Sequence, residues 1–417
     1  MTSPSLNQEQ LIFILSFLSN GVANIKASQE SLQEQLTHKV TNALADKTVR
    51  GYIGEWDVVW GPVVYKAPLA KVATNSMYVA RNSNQYVVAI AGTNPSSFYD
   101  WLVEDANVKI QVSWPYGNPG VPHAKISKGT HTGLQHLQNK MHSSGKTLLQ
   151  FLGDAMKNSS SETEIIFTGH SLGGALSPTL ALAVLDQEDL WSNGNSFKIS
   201  VYPSAGPTPG NKDFSIYYGN RLGDSTTRIW NTMDVVPHAW NEDMLSEIPN
   251  LYKPEIQLSY WESLFVKILK KLAKGGNYTQ LLPTTPGLNG TVALQPIPPL
   301  CKQATPETPT LTIEEEASQF VELLKGSFVE NYDLERRIQE ELNSSDDFKK
   351  DLQQSYIRLS SFLKQAIYQH IGAYFVLLDI VEPYCYLRDK NYLSTVSSDR
   401  NPSEVMELVS RLLKAGI

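Results

Sequence analysis

The chain has little cysteine, no surplus of positive charge and no long apolar run, and each shortage removes a class of protein. Only two cysteines, Cys301 and Cys385, occur in 417 residues. Neither has His or Cys neighbours at metal-ligand spacing, so no zinc site or disulfide framework can be read, and one bridge between them stays open. The formal net charge is -7. A nucleic-acid partner would need a basic face that this balance does not supply, whereas a neutral or interfacial substrate fits it. The apolar run Leu11 to Leu15, with Phe17 and Leu18, is too short to span a bilayer, and no transmembrane segment is expected. It has no basic residues before it and no small-residue cleavage pattern after it, unlike a signal peptide. The polar residues around it suit a helix docked on a core. Without a signal peptide the cytoplasm is the expected location, secretion by another route being left open.

What is present is ample core material: 41% of residues are hydrophobic and 18% charged, the balance of a globular chain with one large core plus an insertion, or of two modest domains. Met77 to Ala80 and Tyr86 to Ile90 read as strands joined by the polar turn Arg81-Asn82-Ser83-Asn84. From Thr132 to about Lys157 apolar residues recur at helical intervals. Glu164 to Thr168 is a buried-strand pattern, and Ala175 to Leu185 is an Ala/Leu-rich helical run. Lys198 to Tyr202 and Arg228 to Trp230 add short strands, and Ala373 to Ile380 is a strand-like or buried run. Strands alternating with helices predict an α/β fold whose functional loops lie at the carboxyl edge of the sheet. Four segments follow: 1–47, an N-terminal helical segment packed on the core; 48–245, the α/β core; 246–354, a mainly helical insertion with a Pro-rich stretch; and 355–417, the end of the core with a C-terminal helix.

Gly169-His170-Ser171-Leu172-Gly173 is a G-x-S-x-G pentapeptide between a predicted strand and a predicted helix. That context is what the motif requires, because the sharp strand-to-helix turn holds the serine hydroxyl clear of the sheet. Ser171 is therefore the candidate nucleophile. The helix start places the N–H of Leu172 toward a developing oxyanion, where one donor is worth about 2.7–4 kcal/mol.

A serine needs a histidine to take its proton and a carboxylate to orient that histidine. In α/β-hydrolases the chain order is Ser, Asp, His. His38, His123, His131, His136, His142 and His170 precede or abut the serine, which leaves His238 and His370 as bases. Asp234 follows a strand-like segment, whereas Asp213 and Asp224 fall in polar stretches. His238 lies four residues beyond Asp234 across a proline and shares its loop, so His370 is the preferred base.

These residues sit in segments that resemble the class 3, fungal-type lipases of the α/β-hydrolase superfamily. Ala91-Gly92-Thr93 followed by Asp100-Trp101 resembles the family's oxyanion turn, with Ala91 where an arginine is usual. Gly129-Thr130-His131-Thr132-Gly133 resembles its H-x-G element. Ser204-Ala205-Gly206-Pro207 is a partial match to the loop after the next strand, and Asn231-Thr232-Met233-Asp234-Val235-Val236-Pro237 matches N-x-x-D-x-V-P, which carries the catalytic acid. Tyr368-Gln369-His370-Ile371-Gly372 resembles the histidine loop, although the interval from Asp234 is longer than usual.

The resemblance implies an α/β-hydrolase fold: a mostly parallel central sheet flanked by helices, here with a large helical insertion before the catalytic His. It implies a site of Ser171, Asp234 and His370, with Thr93 and Leu172 as oxyanion donors. The expected function is hydrolysis of lipid esters through an acyl-enzyme, triacylglycerol being the simplest substrate and phospholipase A1 or galactolipase activity the alternative. A lipase-like scaffold without catalysis is the alternative of another class. The chemistry needs no metal or organic cofactor, and the expected partner is the lipid ester itself. Ser97 to Trp114 reads as a lid or as an ordinary partly buried helix and loop. Ile256 to Lys274, with Trp261, Phe265 and four lysines, suits transient contact with a lipid interface or packing on its own protein.

Overall fold

Valines and aromatics cluster at 58–64, 77–79 and 86–88, where they favour a half-buried pleated surface. Three strands form there: β1 Asp57–Tyr65, β2 Asn75–Asn82 and β3 Gln85–Ile90. The computed structural model describes residues 5–92, 108–117, 123–157, 162–257, 270, 271, 273–293, 297, 299–301, 314–319, 321 and 345–394. β1 pairs antiparallel with β2, and β2 antiparallel with β3 across the two-residue turn Ser83-Asn84. β1 was not legible in the sequence. Gly61-Pro62 breaks its alternation, and its register with β2 shifts between Trp60 and Val63.

β4 Gln111–Ser113 and β5 Lys125–Ser127 form a small separate sheet. β6 Thr163–His170 joins β3 in parallel, and β7 Phe197–Ser204 joins β6 in parallel, giving the order β1-β2-β3-β6-β7. The sheet is thus mixed, with two antiparallel and two parallel ladders. A two-residue connection can only return antiparallel, whereas β3, β6 and β7 are separated by helices that carry the chain back to the same edge. Arg228 to Trp230 extends the sheet by isolated parallel bridges, such as Ser204 with Ile229, rather than by a full strand.

Alternation along the central strands divides the core into two layers. Val87, Ala89 and Ile166 face one layer, and Tyr86, Val88, Ile90, Ile165 and Phe167 face the other. Helix α1, Gln8–Leu18, fills the first layer and packs on β3, β6 and β7, with every residue from Leu11 to Leu18 buried. Its start is fixed by a capping box in which Asn7 and Gln10 exchange side-chain and backbone bonds. α2 Gln29–Ala45 and α3 Lys47–Ile53 extend that layer. The second layer holds α4 Lys128–Asn139, α5 Leu148–Lys157 and α6 Leu172–Leu185. The helical pattern from Thr132 to Lys157 is therefore split, by a turn closed between Ser143 and Lys146.

After α7 Lys212–Leu222 and α8 Glu242–Glu247 the chain reaches the long helix α9 Asp346–Ile367. α9 runs without a break across the boundary expected at 354/355. It leads into a π-helical turn, Tyr368–Gly372, then α10 Ala373–Leu377 and α11 Val381–Asp389. The run at 373–380 is thus a helix over Ala373–Leu377 followed by a turn, not a strand; a short continuous apolar run is compatible with either, and here it continues a helix. Cys301 and Cys385 form a disulfide that ties the insertion to α11. Among the described residues no helix is long and apolar enough to cross a membrane.

Candidate active site

β6 delivers Gly169 and His170 to the carboxyl edge of the sheet, and α6 starts at Leu172. Ser171 between them has φ 62° and ψ -125°, a conformation rare for a residue with a side chain and one that stores strain. The motif glycines are required by close approach. A Cβ on Gly169 would lie 2.3 Å from the Gly173 oxygen, and one on Gly173 would lie 2.3 Å from the Ile90 oxygen. The elbow is held by Ser171 N–H donating to the Ser204 carbonyl at 3.0 Å and Gly174 N–H donating to the Ser171 carbonyl at 2.8 Å. Leu172 is the first residue of α6, where N–H groups have no intrahelical acceptor and favour negative charge.

Asp234 is fully buried on the turn after Ile229. Its Oδ2 accepts from His370 Nδ1 at 2.9 Å and from the Tyr374 hydroxyl at 2.9 Å, and its Oδ1 accepts from the Val236 N–H at 3.0 Å. Burial, then the Asp234 charge, pushes the Tyr374 phenol far above its usual range, so it stays a donor. The same hydroxyl accepts the Asn231 N–H at 3.0 Å. Asn231 Nδ2 donates to the Gln369 carbonyl at 3.0 Å and to Gln369 Oε1 at 2.7 Å, which clamps the Asp234 turn to the turn bearing His370.

His370 lies on the π-helical turn, a wider turn often found at functional sites. The His170 ring supports it from below: Nε2 donates to the His370 carbonyl at 2.8 Å, and the Ser204 hydroxyl faces Nδ1 at 3.1 Å. Burial, then His370, holds His170 well below the usual histidine range, so the ring is neutral. Phe13 and Phe17 of α1 pack against it. His170, Ser171 and His370 line one cavity with Phe17, Asn20 and Ile371.

His238 is directed elsewhere. Its Nδ1 is 2.7 Å from the backbone oxygen of Asp234, not its carboxylate, and its Nε2 is 3.5 Å from Glu247. Burial lowers its pKa, and it serves as a prop inside the turn. Thr93 lies outside the described residues, as do Asp100, Trp101 and residues 97–107 of the expected lid. At the other end of that segment Trp114 is fixed by its indole N–H donating to Asp186 Oδ2 at 2.8 Å, so this end is anchored to the core. Most of Ile256 to Lys274 is also outside the described residues; Ile256 and Ala273 at its ends are buried.

Four site residues escaped the sequence reading: Tyr374, Asn231, Gln369 and His170. A polar tyrosine four residues after His370 on a helical stretch was the available signal, since i and i+4 share a face. The asparagine of N-x-x-D-x-V-P was another, read there only as a marker for the aspartate.

A serine on a strained elbow, a helix N-terminal donor beside it, and an imidazole held by a buried carboxylate form an arrangement suited to acyl transfer. With the parallel strands β3, β6 and β7 beneath, and the order Ser, Asp, His along the chain, the fold is that of an α/β-hydrolase. M37 lipase has a solved structure similar over 90% of this chain and 93% of its own, at 30% identity and a TM-score of 0.68. The family model described as Lipase (class 3) matches residues 87–244, and the chain belongs to the class 3 lipase family. The lipase of Rhizomucor miehei is 29% identical over 179 residues, 43% of this chain and 42% of that protein, so the match spans less than half of that relative.

Proposed function

We propose that the protein hydrolyses carboxylic esters of lipids, triacylglycerol being the substrate class most in keeping with its family. The observation that carries the reading is the 2.9 Å contact of His370 Nδ1 with Asp234 at the cavity that Ser171 lines. With Nδ1 engaged, proton transfer falls to Nε2. Ser171 Oγ attacks the ester carbonyl carbon while His370 Nε2 takes its proton, and the carbonyl oxygen becomes an oxyanion facing the Leu172 N–H, with Thr93 as second donor. The intermediate collapses, the acyl C–O bond to the alcohol breaks, and His370 returns the proton to the departing alcohol. Water then attacks the acyl-enzyme, gives its proton to His370, and the fatty acid leaves as Ser171 recovers its hydrogen. No step calls for a metal or organic cofactor.

Location is a second proposal. Thiols in a reducing cytoplasm stay reduced in most mesophilic proteins, so the Cys301–Cys385 bond favours an oxidising compartment over the cytoplasm expected from the N-terminal sequence. Thiol alkylation and mass analysis of protein taken from its source distinguishes the two.

The test of function is hydrolysis of emulsified triacylglycerol and of phosphatidylcholine vesicles by the wild type and by Ser171→Ala, His370→Ala and His238→Ala, with folding checked. The reading expects the first two substitutions to abolish activity and the third to retain most of it. A folded wild type that cleaves neither lipid would turn the reading toward a binding scaffold, and faster cleavage of phosphatidylcholine would make it a phospholipase.

A further inference from the structure

The turn that ends α1 carries Asn20 to the wall of the cavity that holds Ser171, from a part of the chain outside the matched stretch 87–244. Its amide is tied at one end. Oδ1 accepts the Gly92 N–H at 2.9 Å. Gly92 presses on the nucleophile turn: a Cβ there would lie 2.6 Å from the His170 oxygen and 2.9 Å from the Ser171 Cβ. The other end of the amide, Nδ2, is shielded from solvent and has no hydrogen-bond partner among the described residues. Buried donors normally have acceptors, so an unmatched one beside a nucleophile points to an oxygen that arrives with the substrate.

The turn itself is braced. The Ser19 hydroxyl donates to the Ser16 carbonyl at 2.6 Å, and the Ser76 hydroxyl on β2 donates to the Ser19 carbonyl at 2.8 Å. A donor fixed in this way before the reaction stabilises developing charge without a further reorganisation cost. An amide also carries no charge at any working pH, so it cannot be silenced by titration.

We propose that Asn20 is a further catalytic residue. Its Nδ2 donates to the ester carbonyl oxygen as that oxygen becomes anionic, beside the Leu172 N–H, while its Oδ1 holds the Gly92 turn in place. The inference rests on the ester-hydrolase reading above. It gives the N-terminal segment a part in the chemistry as well as in the packing.

The experiment compares wild type, Asn20→Asp and Asn20→Leu for kcat and KM on p-nitrophenyl butyrate, for the rate of Ser171 labelling by a fluorophosphonate, and for thermal melting. Aspartate keeps an acceptor for Gly92 and loses the donor; leucine loses both. Both variants are expected to lose about 10- to 1000-fold in kcat, with KM within about threefold of wild type and melting little changed. If Asn20→Leu does not fold, Asn20→Asp carries the test alone. Wild-type kcat in Asn20→Asp overturns the donor role, whatever leucine does. A wild type that neither labels at Ser171 nor cleaves the ester sinks the hydrolase reading and this inference with it, whereas a reactive wild type with unaffected Asn20 variants sinks the inference alone.

Discussion

His170 Nε2 donates to the backbone carbonyl of His370 across 2.8 Å, although 200 residues separate the two in sequence. The residue before the nucleophile is therefore bonded to the backbone of the proposed base. Motion of the π-helical turn would break this bond and leave a buried carbonyl unpaired, so the elbow and the histidine turn behave as one body. The Asn231–Gln369 clamp adds the aspartate turn to that body.

The histidines make stability depend on pH. Burial, then His370, holds His170 well below its ordinary range, and burial lowers His238. Unfolded, both titrate near 6.5. As pH falls below about 6.5 the unfolded chain takes up protons that the folded one refuses, so stability declines; above it the contribution is fully present. Each histidine gives a slope of about 1.4 kcal/mol per pH unit between its folded and unfolded pKa. Denaturant melts from pH 5 to 8 should show this decline, and His170→Gln should flatten it by about one proton; an unchanged slope in that variant refutes the assignment.

Tyr374→Phe removes a donor to Asp234 and an acceptor for the Asn231 N–H at once. We expect a stability loss of about 1–3 kcal/mol from the unmatched buried groups and a kcat roughly tenfold lower, since a hydrogen bond to a charged group is worth about that factor. Urea unfolding and ester kinetics on the same preparation measure both. Wild-type kcat would mean that the Val236 N–H and His370 hold the carboxylate well enough alone.

Gly173→Ala places a methyl 2.3 Å from the Ile90 carbonyl. Relief requires α6 to move away from β3, and with it the elbow. The expected result is a protein that fails to fold or keeps less than about a hundredth of its activity, because misplacing reacting groups by about 1 Å costs on that order. Soluble expression, circular dichroism and ester hydrolysis test it, and a folded, active variant would show that α6 can shift from β3 without displacing the elbow.

The disulfide closes 84 residues that include the second half of the insertion. By loss of chain entropy in the unfolded state such a loop is worth up to about 4.5 kcal/mol. Cys301→Ser with Cys385→Ser should lower the unfolding midpoint in guanidinium accordingly. An unchanged midpoint would show that the insertion is held by packing alone.

The amino-acid sequence by itself determined the features that depend on neighbours a few residues away. The β2–β3 hairpin needs only two short continuous apolar runs around a polar turn. The elbow needs glycines where a Cβ would strike backbone, and so it is written in Gly169 and Gly173. Chain order and the N-x-x-D pattern were enough to nominate Asp234 and His370 as candidates. Tertiary structure alone decided the rest. β1 became a strand because β2 offered it an edge, against a pattern broken by Gly61-Pro62; residues 373–377 became helix because α9 leads into them. The meeting of Asp234 with His370 at 2.9 Å spans 136 residues, the disulfide spans 84, and Asn20 reaches Gly92 across 72. Such contacts depend on how sheet, helix and insertion pack, and burial then fixes their consequences: a neutral His170, a protonated Tyr374 and an amide donor waiting beside Ser171.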